Sequence, residues 1–233
     1  MSDSAATTSS PRPAGASVSR RVGSDGSLGV ALVLGAAVLV GLVWGAATSG
    51  LQTVLPGSLA GLANAVGPWV APAFLVGAWS RRWWVAALAG VLVCFGEVAG
   101  YYAISALRGF GVNPAMVVLW AVSGVVGGPV LGVAGWCWRR VGSLRWAALG
   151  AALLGGVFLA EGAVGYGIYL RYTADAVLFC TLGLLLVVVL GATAPAAKAA
   201  SAPARGVRAA AAWLLLVLPL GAAGEVLLHL ATS

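Results

Sequence analysis

Residues 81–108 read RRWWVAALAGVLVCFGEVAGYYAISALR: two arginines, a long apolar stretch with one glutamate inside it, and a closing arginine. At 1.5 Å per residue, a helix through this stretch covers a bilayer core of about 30 Å. Glu97 lies 15 residues after Arg82, which places its carboxyl roughly 22 Å above the basic end, inside hydrocarbon. The pattern recurs twice. Glu161 and Glu225 lie 16 and 17 residues after Arg145 and Arg208, so all three acids are expected at one level, nearer the far side of the membrane. Ionisable residues at such depth are costly to place and mark functional sites by default.

Composition points the same way. The 233 residues are 61% hydrophobic and 8% charged, with apolar runs that reach or approach 20 residues, as in a multi-pass membrane protein. The net charge of +7 does not indicate nucleic acid, because the positive residues sit in short loops between apolar segments, where they act as topology signals. Cys94, Cys137 and Cys180 are isolated from one another in apolar stretches, which offers neither a disulfide framework nor a metal site. Residues 1–27 are rich in Ser, Ala, Pro, Gly and Thr, and too poor in apolar surface to fold alone. They are expected to form a disordered cytoplasmic tail ahead of a transmembrane domain over 28–231. The apolar run after Arg20 and Arg21 is too long for a signal peptide and reads as a first transmembrane helix.

Hydropathy and charge together predict an all-α polytopic transmembrane helix bundle of about seven spans, near 28–48, 66–80, 83–105, 113–137, 146–169, 173–192 and 209–231. The second is short and carries Pro68 and Pro72, so it is expected to borrow residues from 59 onward and to kink. Eleven of the thirteen Lys and Arg residues fall in the N-terminal tail or in the loops after the second, fourth and sixth spans, leaving Arg108 and Arg171 on the other side. The positive-inside rule then puts the N-terminus in the cytoplasm and the C-terminus outside. A weak repeat follows each basic loop: an acid, then rings at helical spacing, which are Tyr101 and Tyr102, Tyr166 and Tyr169, and His229. The expected architecture is one lead-in helix and three helical hairpins, repeated in parallel.

For the acids two readings compete. Glu97, Glu161 and Glu225, with Tyr101, Tyr102, Tyr166 and His229 beside them, could form one site near the outer mouth for a small cation, an amine or protons. Carboxylates sharing a site repel one another, which suits proton exchange. Alternatively, each acid is held by its own hydrogen-bond partners and ties helices together. The 34 glycines include small-xxx-small pairs at Gly41 and Gly45, Gly96 and Gly100, and Gly124, Gly128 and Gly132, expected to let helix backbones approach closely. The run Gly127, Gly128 and Pro129 should kink or loosen the fourth span. Trp69, Trp79, Trp83, Trp84, Trp136, Trp138 and Trp146 fall near span ends, as an interfacial belt would. Residues 51–69, LQTVLPGSLAGLANAVGPW, carry no charge and place Leu55, Leu59, Leu62 and Val66 at helical spacing, which suggests a short interfacial helix. His229 with Glu225 is too small a set for a metal. No nucleotide-binding, zinc-protease, hydrolase or calcium-loop motif occurs, so neither a cofactor nor a familiar enzyme activity is expected.

The motif LPG-x3-GLAN-x2-GPW at 55–69, followed by AGYY at 99–102, LRG at 107–109, GPVLG at 128–132 and EG at 161–162, resembles an uncharacterised family of actinobacterial multi-pass membrane proteins. The likeness covers residues 30–190. It implies an integral protein of a bacterial plasma membrane and supplies no substrate. The sequence thus leads to a small membrane protein, not an enzyme, that binds or translocates a cationic solute or protons within the lipid bilayer. A non-transporting scaffold or accessory subunit is the alternative, and a membrane-embedded enzyme is a third, weaker reading.

Overall fold

The computed structural model describes residues 24–232. Among these residues the secondary structure is helical throughout, in the order α1 (Ser24–Val54), a 3₁₀ helix (Gly57–Ala63), α2 (Val66–Trp79), α3 (Trp83–Leu107), α4 (Pro114–Arg140), α5 (Leu144–Ala160), a π-helix (Glu161–Leu170), α6 (Thr173–Thr193), α7 (Pro195–Ala199) and α8 (Pro203–Thr232). The α5 helix runs directly into the π-helix, and together they make one span. Six spans are long and apolar enough to cross a membrane, and they mark the chain as a membrane-embedded helical bundle.

The second expected span differs. With 14 residues, α2 is about 21 Å long, short of the bilayer core. It does not borrow residues 59–65, which form the 3₁₀ helix and its exit instead. Of the segment 51–69, expected to hold a short interfacial helix, residues 57–63 form that 3₁₀ helix, while α1 continues to Val54 and α2 begins at Val66. Of the expected tail, residues 24–27 belong to α1, and residues 1–23 lie outside the described residues. Although it contains Gly127, Gly128 and Pro129, α4 is a single unbroken helix.

Close approaches between backbones fix the direction of each helix. Gly41 and Gly45 lie against the α3 backbone at Gly96 and Glu97, and the Ser49 and Ser105 hydroxyls meet at 2.9 Å, so α1 and α3 run parallel. Gly90 opposes Gly128 and Cys94 opposes Gly124, which makes α3 and α4 antiparallel. Gly155 packs at Gly183, and Gly162 at Cys180, so α6 returns along α5. Gly156, Ala160 and Gly165 face Val217, Gly221 and Glu225 in turn, and α8 therefore runs with α5. From Trp69 beside Trp120 to Trp79 beside Arg140, α2 follows α4. The bundle is thus two triplets, α1–α3 and α5, α6 and α8, joined by α4. The acid-bearing segments α3, α5 with its π-helix, and α8 share one direction, and α1 shares it too.

Glycine makes these contacts possible. A Cβ on Gly45 would run into the Glu97 backbone, one on Gly100 into the Leu42 carbonyl, and one on Gly132 into the Ala86 carbonyl. Without side chains at these crossings the backbones come close enough for dispersion contacts, which helix association in lipid relies on.

Candidate functional site

The start of α2 organises the site. A helix beginning inside a bundle leaves its first N–H groups without partners, and burying them unpaired is costly. From Val66 onward each group is accounted for. Glu161 accepts from Val66 N at 2.6 Å through Oε1 and from Gly67 N at 2.7 Å through Oε2. Pro68 has no N–H to satisfy, and Trp69 N donates to Ala65 O at 3.4 Å. No side chain at Ala65 caps the helix, so Glu161, about a hundred residues away in the chain, does so across the bundle. A carboxylate there also meets the positive end of the helix dipole. A side chain at Gly67 would crowd this arrangement, because its Cβ would press on the Phe158 ring at 3.0 Å. Glu161 is 5% exposed.

On the other side of the same helix start lies a cavity of about 160 Å³. Three helical stripes bound it. From α2 come Val66, Trp69 and Val70; from α3 come Cys94, Glu97, Val98, Tyr101 and Tyr102; from α4 come Trp120, Ser123, Gly124, Gly127 and Gly128. Residues three and four apart on a helix share a face, so each stripe is one face of its helix. Asn64 and Ala65, just before α2, complete the lining. Glycines on α4 keep the space open: a Cβ added to Gly127 would find no atom within 4 Å.

Glu97 is 1% exposed, and among the described residues its Oε1 has no hydrogen-bond partner. Several polar groups near it are engaged. Tyr101 donates to Gln52 Oε1 at 3.1 Å, Gln52 Nε2 donates to Asn64 Oδ1 at 2.9 Å, and Ser123 donates to Leu119 O at 2.9 Å within its own helix. The aromatic rings form a connected wall. Trp69 lies 6.3 Å from Trp120 and 5.4 Å from Tyr101, which meets Tyr102 edge-on at 5.1 Å.

The other residues singled out in the sequence lie elsewhere. Glu225 approaches Gly165 from α8, and Glu161 flanks that glycine too, since a Cβ there would meet Glu225 Oε2 at 2.9 Å and Glu161 Cγ at 3.8 Å. Tyr166 stacks on Phe179 at 4.8 Å, and His229 stacks on Tyr169 at 3.9 Å. None of these lines the Glu97 cavity. Glu161 holds the start of α2 and Glu97 lines the cavity beside it, whereas Glu225 is grouped with Glu161 alone. Trp69 belongs to the cavity wall, while Trp79, Trp83 and Trp146 are exposed on the bundle surface. Trp120, Asn64 and Gln52 had no reading as site residues in the sequence. The available signal was a Trp seven residues into a span rather than at its end.

Fold and cavity together define a helical membrane protein with an aromatic-walled pocket lined by one buried acid. The chain belongs to a family of unknown function, DUF6518, whose sequence model matches residues 25–222. No curated protein and no solved structure matches it.

Proposed function

We propose that this is a multi-pass protein of a bacterial plasma membrane, not an enzyme, that binds and moves a small cation, a protonated amine or a proton through the Glu97 cavity. One observation carries the reading: a fully buried carboxyl oxygen without a partner among the described residues, on a side chain that lines a cavity. An unsatisfied buried polar group costs about 1–3 kcal/mol, more when charged, and such groups in native structures call for an explanation. A cation or proton arriving at Glu97 supplies the missing partner. The same proposal puts the N-terminus and the basic loops at Arg81, Arg139 and Lys198 in the cytoplasm, with the C-terminus outside.

The scaffold reading has its own support in Glu161, whose two backbone bonds give that acid a structural task. The division of labour proposed here is therefore one acid for the helix and one for the ligand. Thermal stability of the purified protein against protons, alkali ions and amines tests it, in wild type and Glu97→Gln. A ligand that binds only the folded form at a hundred times its Kd adds about 2.7 kcal/mol. The expected result is a cation-dependent rise in wild type that Glu97→Gln lacks. Identical behaviour of the two proteins across the series refutes the binding role and leaves the scaffold.

A further inference from the structure

We infer that the ligand of the Glu97 cavity is an organic ammonium ion of up to about seven heavy atoms, its charge on Glu97 and its alkyl groups against the aromatic wall. This rests on the reading of Glu97 as a cation site. Three features of the cavity narrow the cation to this class.

The first is size. About 160 Å³ matches an apolar cavity of about 150 Å³ that admits benzene, far more room than a proton or a bare alkali ion uses. The second is donor chemistry. Calcium takes six to eight oxygen ligands, and magnesium near-ideal octahedral geometry. Here Glu97 is the one carboxylate of the lining, and the remaining side-chain oxygens are neutral ones of Asn64, Tyr101, Tyr102 and Ser123. A divalent cation would give up its hydration with a single charged ligand to offset the loss. The third is the wall. Trp69, Trp120, Tyr101 and Tyr102 present a run of rings with neighbouring centroids 5.1–6.3 Å apart. A cation within about 6 Å of a ring centroid is attracted by the ring quadrupole, and more strongly when both are desolvated. An alkylammonium ion has a diffuse charge and an apolar shell, so it gains from the rings what a small hydrated ion cannot. The open space at Gly127 gives the alkyl part a place on the α4 side.

The test uses the full-length protein in nanodiscs. The probes are tetramethylammonium, choline, ethylammonium, sodium, potassium and calcium, with 3,3-dimethyl-1-butanol as the uncharged isostere of choline. Melting temperature and tryptophan fluorescence are followed, the latter because Trp69 and Trp120 line the cavity. In wild type, tetramethylammonium or choline should raise the melting temperature and change the fluorescence, and the uncharged isostere should do neither. The apparent Kd should weaken at least tenfold in Glu97→Gln and in Gly127→Phe, whose Cβ has no atom within 4 Å and whose ring occupies the cavity. Helix content by circular dichroism checks that both variants are folded. A Glu97-dependent response to sodium, potassium, calcium or pH alone, with none to the organic ions, overturns the ligand class while leaving the cation site standing. An organic-ion response equal in wild type and Glu97→Gln overturns both, as does the absence of any cation response.

Discussion

Replacing Glu161 by Ala removes both acceptors from the buried start of α2, leaving the Val66 and Gly67 N–H groups without partners. Each such loss costs about 1–3 kcal/mol, so the variant should be destabilised by about 2–6 kcal/mol, above the ~1 kcal/mol typical of a lost cap on an exposed helix. Glu161→Gln retains one acceptor oxygen and turns an NH₂ group toward the other donor, and it should lose at least half as much. Glu97→Gln is the contrast at the same level of the bundle. Its Oε1 has no partner to lose, and without ligand its stability should lie within about 1 kcal/mol of wild type or above it, as often happens when a functional residue is removed. Urea titration in mixed micelles, followed by circular dichroism, gives the free energies. The reasoning fails if Glu161→Ala unfolds with wild type, or if Glu97→Gln is as costly as Glu161→Ala.

Gly128→Leu should destabilise the α3–α4 crossing by at least the ~1–3 kcal/mol usual for overpacking, because even a Cβ there would meet the Gly90 carbonyl at 2.7 Å; Gly127→Leu, where nothing lies within 4 Å, should melt with wild type, and equal melting of the two variants would contradict the packing. With the native cysteines replaced, Ser49→Cys and Ser105→Cys together should oxidise readily to a disulfide, since their oxygens are 2.9 Å apart. Mass spectrometry of the digested protein detects it, and its absence would contradict the parallel pairing of α1 and α3. Single cysteines at Arg81, Arg139 and Lys198 should resist impermeant reagents added to intact cells, while those at Arg108 and Arg171 should react. Labelling at Arg139 from outside would reverse the proposed orientation.

The helical bundle was legible because apolar length and basic loops are local signals, and they placed α3, α4, α6 and α8 within a few residues. The end of α1 was less legible. Its apolar run passes Ala47 without a charge and stops near Pro56, so hydropathy alone could not mark Val54. The truncation of α2 was hidden more deeply, because the partner that lets a helix begin inside the bundle is Glu161, supplied from another span. Pro68 was a visible clue that one N–H was missing from that first turn. The spacing of the acids from their basic loops carries no information on their rotation about the helix axes. Rotation decides that Glu97 faces Trp69 and Trp120, Glu161 faces the α2 backbone, and Glu225 faces Gly165. The π-helix from Glu161 to Leu170 has a signal only in its glycines, Gly162, Gly165 and Gly167, which hydropathy treats as ordinary span residues.

Infrared difference spectroscopy of the carboxyl region, recorded as tetramethylammonium is perfused over the reconstituted protein, tests the separation of the two acids most directly. A cation settling on Glu97 changes that group's hydrogen bonding and charge environment, whereas Glu161 stays bound to Val66 and Gly67. The account predicts a difference band in wild type and in Glu161→Gln, and none in Glu97→Gln. A band that survives Glu97→Gln, or that vanishes only in folded Glu161→Gln, would contradict it.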